Sequence, residues 1–228
     1  MKKNKGASMI AYRSFFTPLN TIEGFSKAGY DTICIFPAHT KNSLGEPYSQ
    51  YPPTWIWYDK IDFTPFDKMV ADVSSVMPDA KILLMIDLNS PIWLEHKEWE
   101  SVTDSFNNLG RAVCNPCWIE AIEYYLKEFV KYANEKYGDR ILAYLLASGA
   151  TDEWYDYSLG AESRDRRRAF REWQINRSGV DPIDIPPISV RDGSSHEDFL
   201  KNPEKDGIGI DYWRFCNDSI AYLTNSLR

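Results

Sequence analysis

The chain has 228 residues, enough for one large domain or two small ones, and its 43% hydrophobic and 26% charged composition suits a folded core. A net charge of −7 and a pI of about 5.1 repel phosphate backbones, which argues against a nucleic-acid partner. No apolar run approaches the ~20 residues of a membrane span, and the basic start, Met1 to Ser8, is followed by no apolar stretch, so neither a membrane nor a signal peptide is expected.

Ser8 to Phe16 reads as a first strand, stopped by Thr17-Pro18. A short helix follows from Asn20 to Lys27, closed by Gly29. Thr32 to Phe36 is a short β-branched apolar run, the pattern of a strand covered on both faces. A long loop from Pro37 to Asp62 carries Tyr48, Tyr51, Trp55, Trp57 and Tyr58, and loops of that length are often functional. Phe66, Met69, Val70 and Val73 predict a helix over Phe63 to Met77, and Lys81 to Ile86 a third strand.

Asn115-Pro116 combines a helix N-cap with a first-turn proline. The stripe Trp118, Ile119, Ile122, Leu126, Phe129, Val130 and Ala133 then predicts an amphipathic helix ending near Gly138. Ile141 to Ala147 is the fourth strand. A charged helix over Glu162 to Asn176, a proline-rich stretch from Asp181 to Gly209 and a helix over Asp211 to Leu227 complete the chain.

Strands alternating with helices predict one α/β domain over residues 1–228, built on a parallel sheet. The long loops follow the carboxyl ends of strands, and the returns from helix to strand are short. Both barrels and open α/β sheets build sites in that way. No glycine-rich phosphate loop follows any strand, which weighs against a dinucleotide cofactor. Cys34, on a strand, and Cys216, on a helix face, read as buried thiols, and the cysteine usage suits a reducing cytoplasm.

The sharpest chemical feature is Ser148 to Tyr157, at the carboxyl end of the fourth strand, where Asp152, Glu153 and Asp156 gather beside Trp154, Tyr155 and Tyr157. A carboxyl wedged among aromatics is desolvated, which raises its pKa toward the range of a general acid. Spacing alone balances this against a solvated acidic loop whose aromatics pack back on the sheet.

Several segments, in order, resemble glycoside hydrolase family 42, the β-galactosidase family of a retaining barrel clan. They are Gly29-Tyr-Asp-Thr-Ile, Trp57-Tyr-Asp-Lys-Ile-Asp-Phe-Thr-Pro-Phe-Asp67, Lys81 to Leu94 ending in Ser90-Pro-Ile-Trp-Leu94, Tyr137-Gly-Asp139, Ala169-Phe-Arg-Glu-Trp173 and Asp211-Tyr-Trp-Arg-Phe215. The resemblance implies about four β/α units of a TIM barrel, a carbohydrate partner and no cofactor. It places Glu153 at the acid/base. Asp152 stands where the clan has Asn, and an ionised Asp cannot donate to the sugar 2-hydroxyl. Trp93 and Trp154 are expected as walls of the sugar subsite, with Arg13 and Asn89 as further substrate contacts; Arg13, Asp87 and Asn89 also fit as structural partners.

The family's zinc cluster is not expected here. Cys114 matches its first cysteine, but Ser158 to Arg168 has none of the later ones, and a tetrahedral set cannot be assembled. Cys114-Asn-Pro-Cys117 opens a helix, a setting that can lower a thiol pKa, but no strand directly precedes it as in a redox motif. The clan's nucleophile lies on the seventh strand. With four strands read here, it is expected outside this sequence, on a missing C-terminal half or a second associating chain. Two other readings compete: a carbohydrate-binding or vestigial barrel without chemistry, and an unrelated soluble α/β domain.

Overall fold

The computed structural model describes residues 12–13, 17–38, 49–91, 93–94, 109–146, 162–179, 181–193 and 201–226. In chain order these form β1 (Tyr12–Arg13), α1 (Leu19–Lys27), β2 (Thr32–Ile35), β3 (Trp55–Trp57), β4 (Lys60–Ile61), α2 (Thr64–Val76) and β5 (Lys81–Ile86). There follow α3 (Leu109–Ala112), α4 (Pro116–Tyr137), β6 (Ile141–Leu146), α5 (Arg164–Ser178), α6 (Ile188–Arg191) and α7 (Gly207–Ser226). Among the described residues no helix is long and apolar enough to cross a membrane.

The fold is α/β, as the alternating pattern predicts. Its main sheet is parallel throughout, with the order β1–β2–β5–β6. Sheet order equals chain order, so every crossover steps the same way across the sheet. The helices accordingly collect on one face. Ile33, Ile35, Ile82, Leu84 and Ile86 share a single core with Ile22 of α1, Met69 and Val73 of α2, and Trp118 and Phe129 of α4. The intervening residues Cys34 and Met85 belong to a separate buried cluster with Phe36 and Ala38. Both faces of β2 and β5 are therefore covered, and this is why these strands are continuous apolar runs. β6 differs. Ile141, Tyr144 and Leu146 reach the core, while Leu142 and Leu145 stay exposed, and the register slips at Leu142, which falls between the residues paired with Ile82 and Leu83.

Local chemistry sets the boundaries. The Asn115 side chain accepts from the Trp118 amide at 2.9 Å, capping α4 with Pro116 in its first turn. Ser163 caps α5 through the Arg166 amide at 3.1 Å, and Gly179 ends it with φ 64°, a left-handed conformation that disfavours a side chain. α5 and α7 pack through Phe170, Tyr212 and Phe215, and Leu223 at the far end of α7 joins the main core.

The departures from the sequence reading are local. The stretch Pro37 to Asp62 is not all loop, since its described part holds the antiparallel hairpin β3–β4. The proline-rich stretch contains the short helix α6, and α7 begins at Gly207. Cys216 is only partly buried, because one side of α7 faces solvent.

Asp67 of α2 forms a polar clamp between two helices. Its carboxylate accepts from Tyr132 (2.7 Å), Lys136 (2.6 Å) and Tyr137 (2.8 Å), all on α4. Burial pushes its pKa up, but the three donors outweigh burial and hold the carboxyl below the ordinary 3.8. A depressed folded pKa contributes stability above the unfolded value, and that stability is lost as pH falls through the folded value. Asp67→Asn is expected to cost about 1–2 kcal/mol near neutral pH. Thermal melts should show the gap to wild type at pH 6 and its closure as the pH drops below 3.8; a gap independent of pH would refute the ionic origin of the clamp.

Candidate functional site

β5 delivers Asp87, Leu88, Asn89 and Ser90 to its carboxyl end, all at most 4% exposed. The Asn89 amide and its Nδ2 both donate to Asp87 Oδ1, at 2.9 and 2.5 Å. This Asx-type turn fixes the direction in which the chain leaves the sheet. The chain then presents Trp93 to the β3–β4 hairpin, which arrives from the carboxyl end of the neighbouring strand β2.

The ring of Trp55 lies between two others. It stacks on Tyr125 of α4 (4.9 Å, 17° between planes) and meets Trp93 edge-on (5.2 Å, 85°). The Tyr125 hydroxyl is 2.7 Å from Thr54 Oγ1. Burial drives the Tyr125 pKa far up; the Thr54 hydrogen bond opposes this, and the charge of Asp87 adds to it. Trp57 lies 5.1 Å from Trp93, tilted by 39°, and Tyr58 is 6.4 Å from it. The Tyr58 hydroxyl donates to Glu120 at 3.2 Å. The Trp93 indole nitrogen is buried and has no hydrogen-bond partner among the described residues.

The hairpin reaches this arrangement through an irregularity. Trp55 pairs with Ile61 and Trp57 with Lys60, so Ile56 is an extra residue between two pairs. A bulge re-aims side chains. Here Trp55 goes into the core, at 2% exposure, while Trp57 stays outside at 50%. The result is a layer of ring faces beside buried carboxyl and amide groups at the carboxyl edge of a parallel sheet. Such a surface suits a ligand with apolar ring faces and hydroxyl edges. Among the described residues no group of three or more His, Cys, Asp or Glu is placed to hold a metal ion.

Of the residues singled out in the sequence, Trp93 and Asn89 come together at this edge, with Asp87 beside them. Arg13 is in β1, paired through its main chain with Cys34; its side chain lies outside the described residues. Glu153, Asp152 and Trp154 also lie outside the described residues. Sequence reasoning missed Thr54, Glu120 and Tyr125. The signal for Tyr125 was present, since it falls seven residues after Trp118 on the buried stripe of α4. The cysteine pair departs from what a helix start suggests. Cys114 precedes the cap and packs toward Phe170 and Cys216, where burial pushes its thiol up to about 11 despite the nearby Arg166, so it is a poor nucleophile at neutral pH.

No protein-family model matches the chain, and no curated protein matches it. Among solved structures it is similar to the β-galactosidase from the psychrophilic Marinomonas ef1, with a TM-score of 0.60 at 12% identity. The match covers 96% of this chain and 34% of that one. At this identity the likeness shows a shared fold alone, and the chain spans about a third of that enzyme's length.

Proposed function

We propose that the chain forms the first four β/α units of a (β/α)-barrel glycoside hydrolase related to family 42. It would act on β-galactosides or similar β-linked sugars with retention. The observation that carries this reading is the strand order. Four parallel strands advance in chain order with their helices on one face, the arrangement of a barrel wall, whereas a doubly wound sheet reverses its order at a switch point. The structural likeness to a β-galactosidase supports the same reading. So does the aromatic layer beside Asp87 and Asn89, which sits where barrel enzymes keep their chemistry.

In this reading Glu153 protonates the glycosidic oxygen and then deprotonates water. The nucleophilic carboxyl, about 5–5.5 Å away in a retaining enzyme, comes from outside these residues. Trp93 supplies an apolar wall to the sugar. Asp152 in place of the clan's Asn alters the contact with the 2-hydroxyl.

The test is calorimetric titration of the chain with β-galactosides and a basic sugar-ring inhibitor, alongside hydrolysis of aryl β-glycosides. Sugar binding that Trp93→Ala weakens, and any turnover collapsing in Glu153→Gln, is the expected result. Absence of binding to every sugar would overturn the reading. Binding that leaves Glu153→Gln indistinguishable from wild type in every assay would instead favour a carbohydrate-binding barrel without chemistry.

A further inference from the structure

A chain of ring contacts leads from the candidate site to open solvent. Trp57 lies against Trp93, Trp93 against Tyr58, and Tyr58 against Tyr124 of α4, with 6.3 Å between the last two rings and their planes 3° apart. The outer members do not belong to the core: Trp57 is 50% and Tyr124 36% exposed. Trp213 and Tyr222 of α7 are exposed as well, at 38% and 78%, but Trp57 and Tyr124 are joined through ring contacts to Trp93 at the candidate site, and contiguous exposed apolar surface marks binding sites.

The rim says what kind of ligand fits. Glu120 stands one helical turn before Tyr124 on the same face, with its carboxylate on the Tyr58 hydroxyl. Asp59 and Lys60, at the hairpin turn, are exposed beside Trp57. Flat faces edged with carboxylate and ammonium groups match pyranose rings, which offer C–H faces for stacking and hydroxyls that donate and accept at their edges.

We propose that Trp57, Tyr58 and Tyr124 bind the extension of an oligosaccharide whose terminal unit occupies the site at Trp93. The substrate class is then an extended β-linked glycan and not a disaccharide. This rests on the glycosidase reading, and it adds residues on the hairpin and on the outer helix to the binding surface.

The experiment compares affinities for β-1,4-linked galacto-, gluco- and xylo-oligosaccharides of two and six units, for the wild-type chain, Trp57→Ala, Tyr124→Ala and Trp57→Phe. Both positions are exposed, and thermal melts confirm that the variants fold. The wild type is expected to bind a six-unit ligand about tenfold more tightly than its two-unit counterpart, the worth of one good ring contact. Each alanine variant should remove most of that advantage, Tyr124→Ala should leave two-unit binding unchanged, and Trp57→Phe should keep the advantage. Equal affinity at both lengths, or an advantage that survives both alanine variants, overturns the proposal and leaves the glycosidase reading standing. No binding at either length overturns both.

Discussion

Glu162→Gln is expected to lower the unfolding free energy by roughly 3–5 kcal/mol, the cost of removing one member of a buried ionic cluster. Glu162 lies just before the cap of α5 and is 6% exposed. One of its carboxylate oxygens accepts from Arg191 of α6, and the other lies 3.5 Å from Arg166 Nε on α5. The side chains of these arginines are 7% and 1% exposed. Both guanidinium groups also lie over the ring of Tyr212 and donate to its hydroxyl, at 2.5 Å from Arg166 and 3.0 Å from Arg191. Neutralising the carboxylate removes a counter-charge shared by two buried guanidinium groups that meet at one phenol. Urea unfolding measures the effect. If the loss arises from the removed counter-charge, adding Arg191→Met to Glu162→Gln should recover part of it, so the double variant should be less damaged than the sum of the single ones. A change within 0.5 kcal/mol for Glu162→Gln alone would show that the cluster is already well solvated.

That cluster was not legible in the sequence, for a physical reason. Arg164-Asp-Arg-Arg-Arg168 reads as a solvated helix face, and for Arg164, Arg167 and Arg168 that is the outcome. Arg166 differs only in standing one turn before Phe170, the pair that faces α7. Its burial depends on Arg191 and Tyr212 arriving from two distant places in the chain to join Glu162 one turn before it, which no local pattern records. The regular elements were legible because their signals are local. The apolar runs of β2 and β5 report burial on both faces, and Asn115-Pro116 reports a cap. The hairpin was not, because strands of two and three residues carry too little pattern. Their aromatic side chains take meaning only from Trp93, which is far along the sequence. The candidate site divides in the same way. The position of Asn89 and Trp93 just past a strand end could be read directly, but the rings that surround Trp93 could not.

The hairpin supplies the second large effect. Trp55→Ala is expected to destabilise the fold by about 3–5 kcal/mol, the range for deleting a fully buried large aromatic. Trp57→Ala, two positions away, should cost under about 1 kcal/mol, because half of that ring already faces water and only its contact with Trp93 is lost. In a regular strand, residues two apart share a face and would be buried alike. The extra residue Ile56 breaks that equivalence, sending Trp55 between Tyr125 and Trp93 and leaving Trp57 on the surface. Denaturant unfolding of the two variants therefore tests the bulge itself. Equal costs would mean that the strand is regular and that Trp57 is a core residue. It would then be unable to serve as a ring face for a sugar. A large difference in the expected direction separates the two tryptophans into one that holds Trp93 in place and one that is free to meet a ligand.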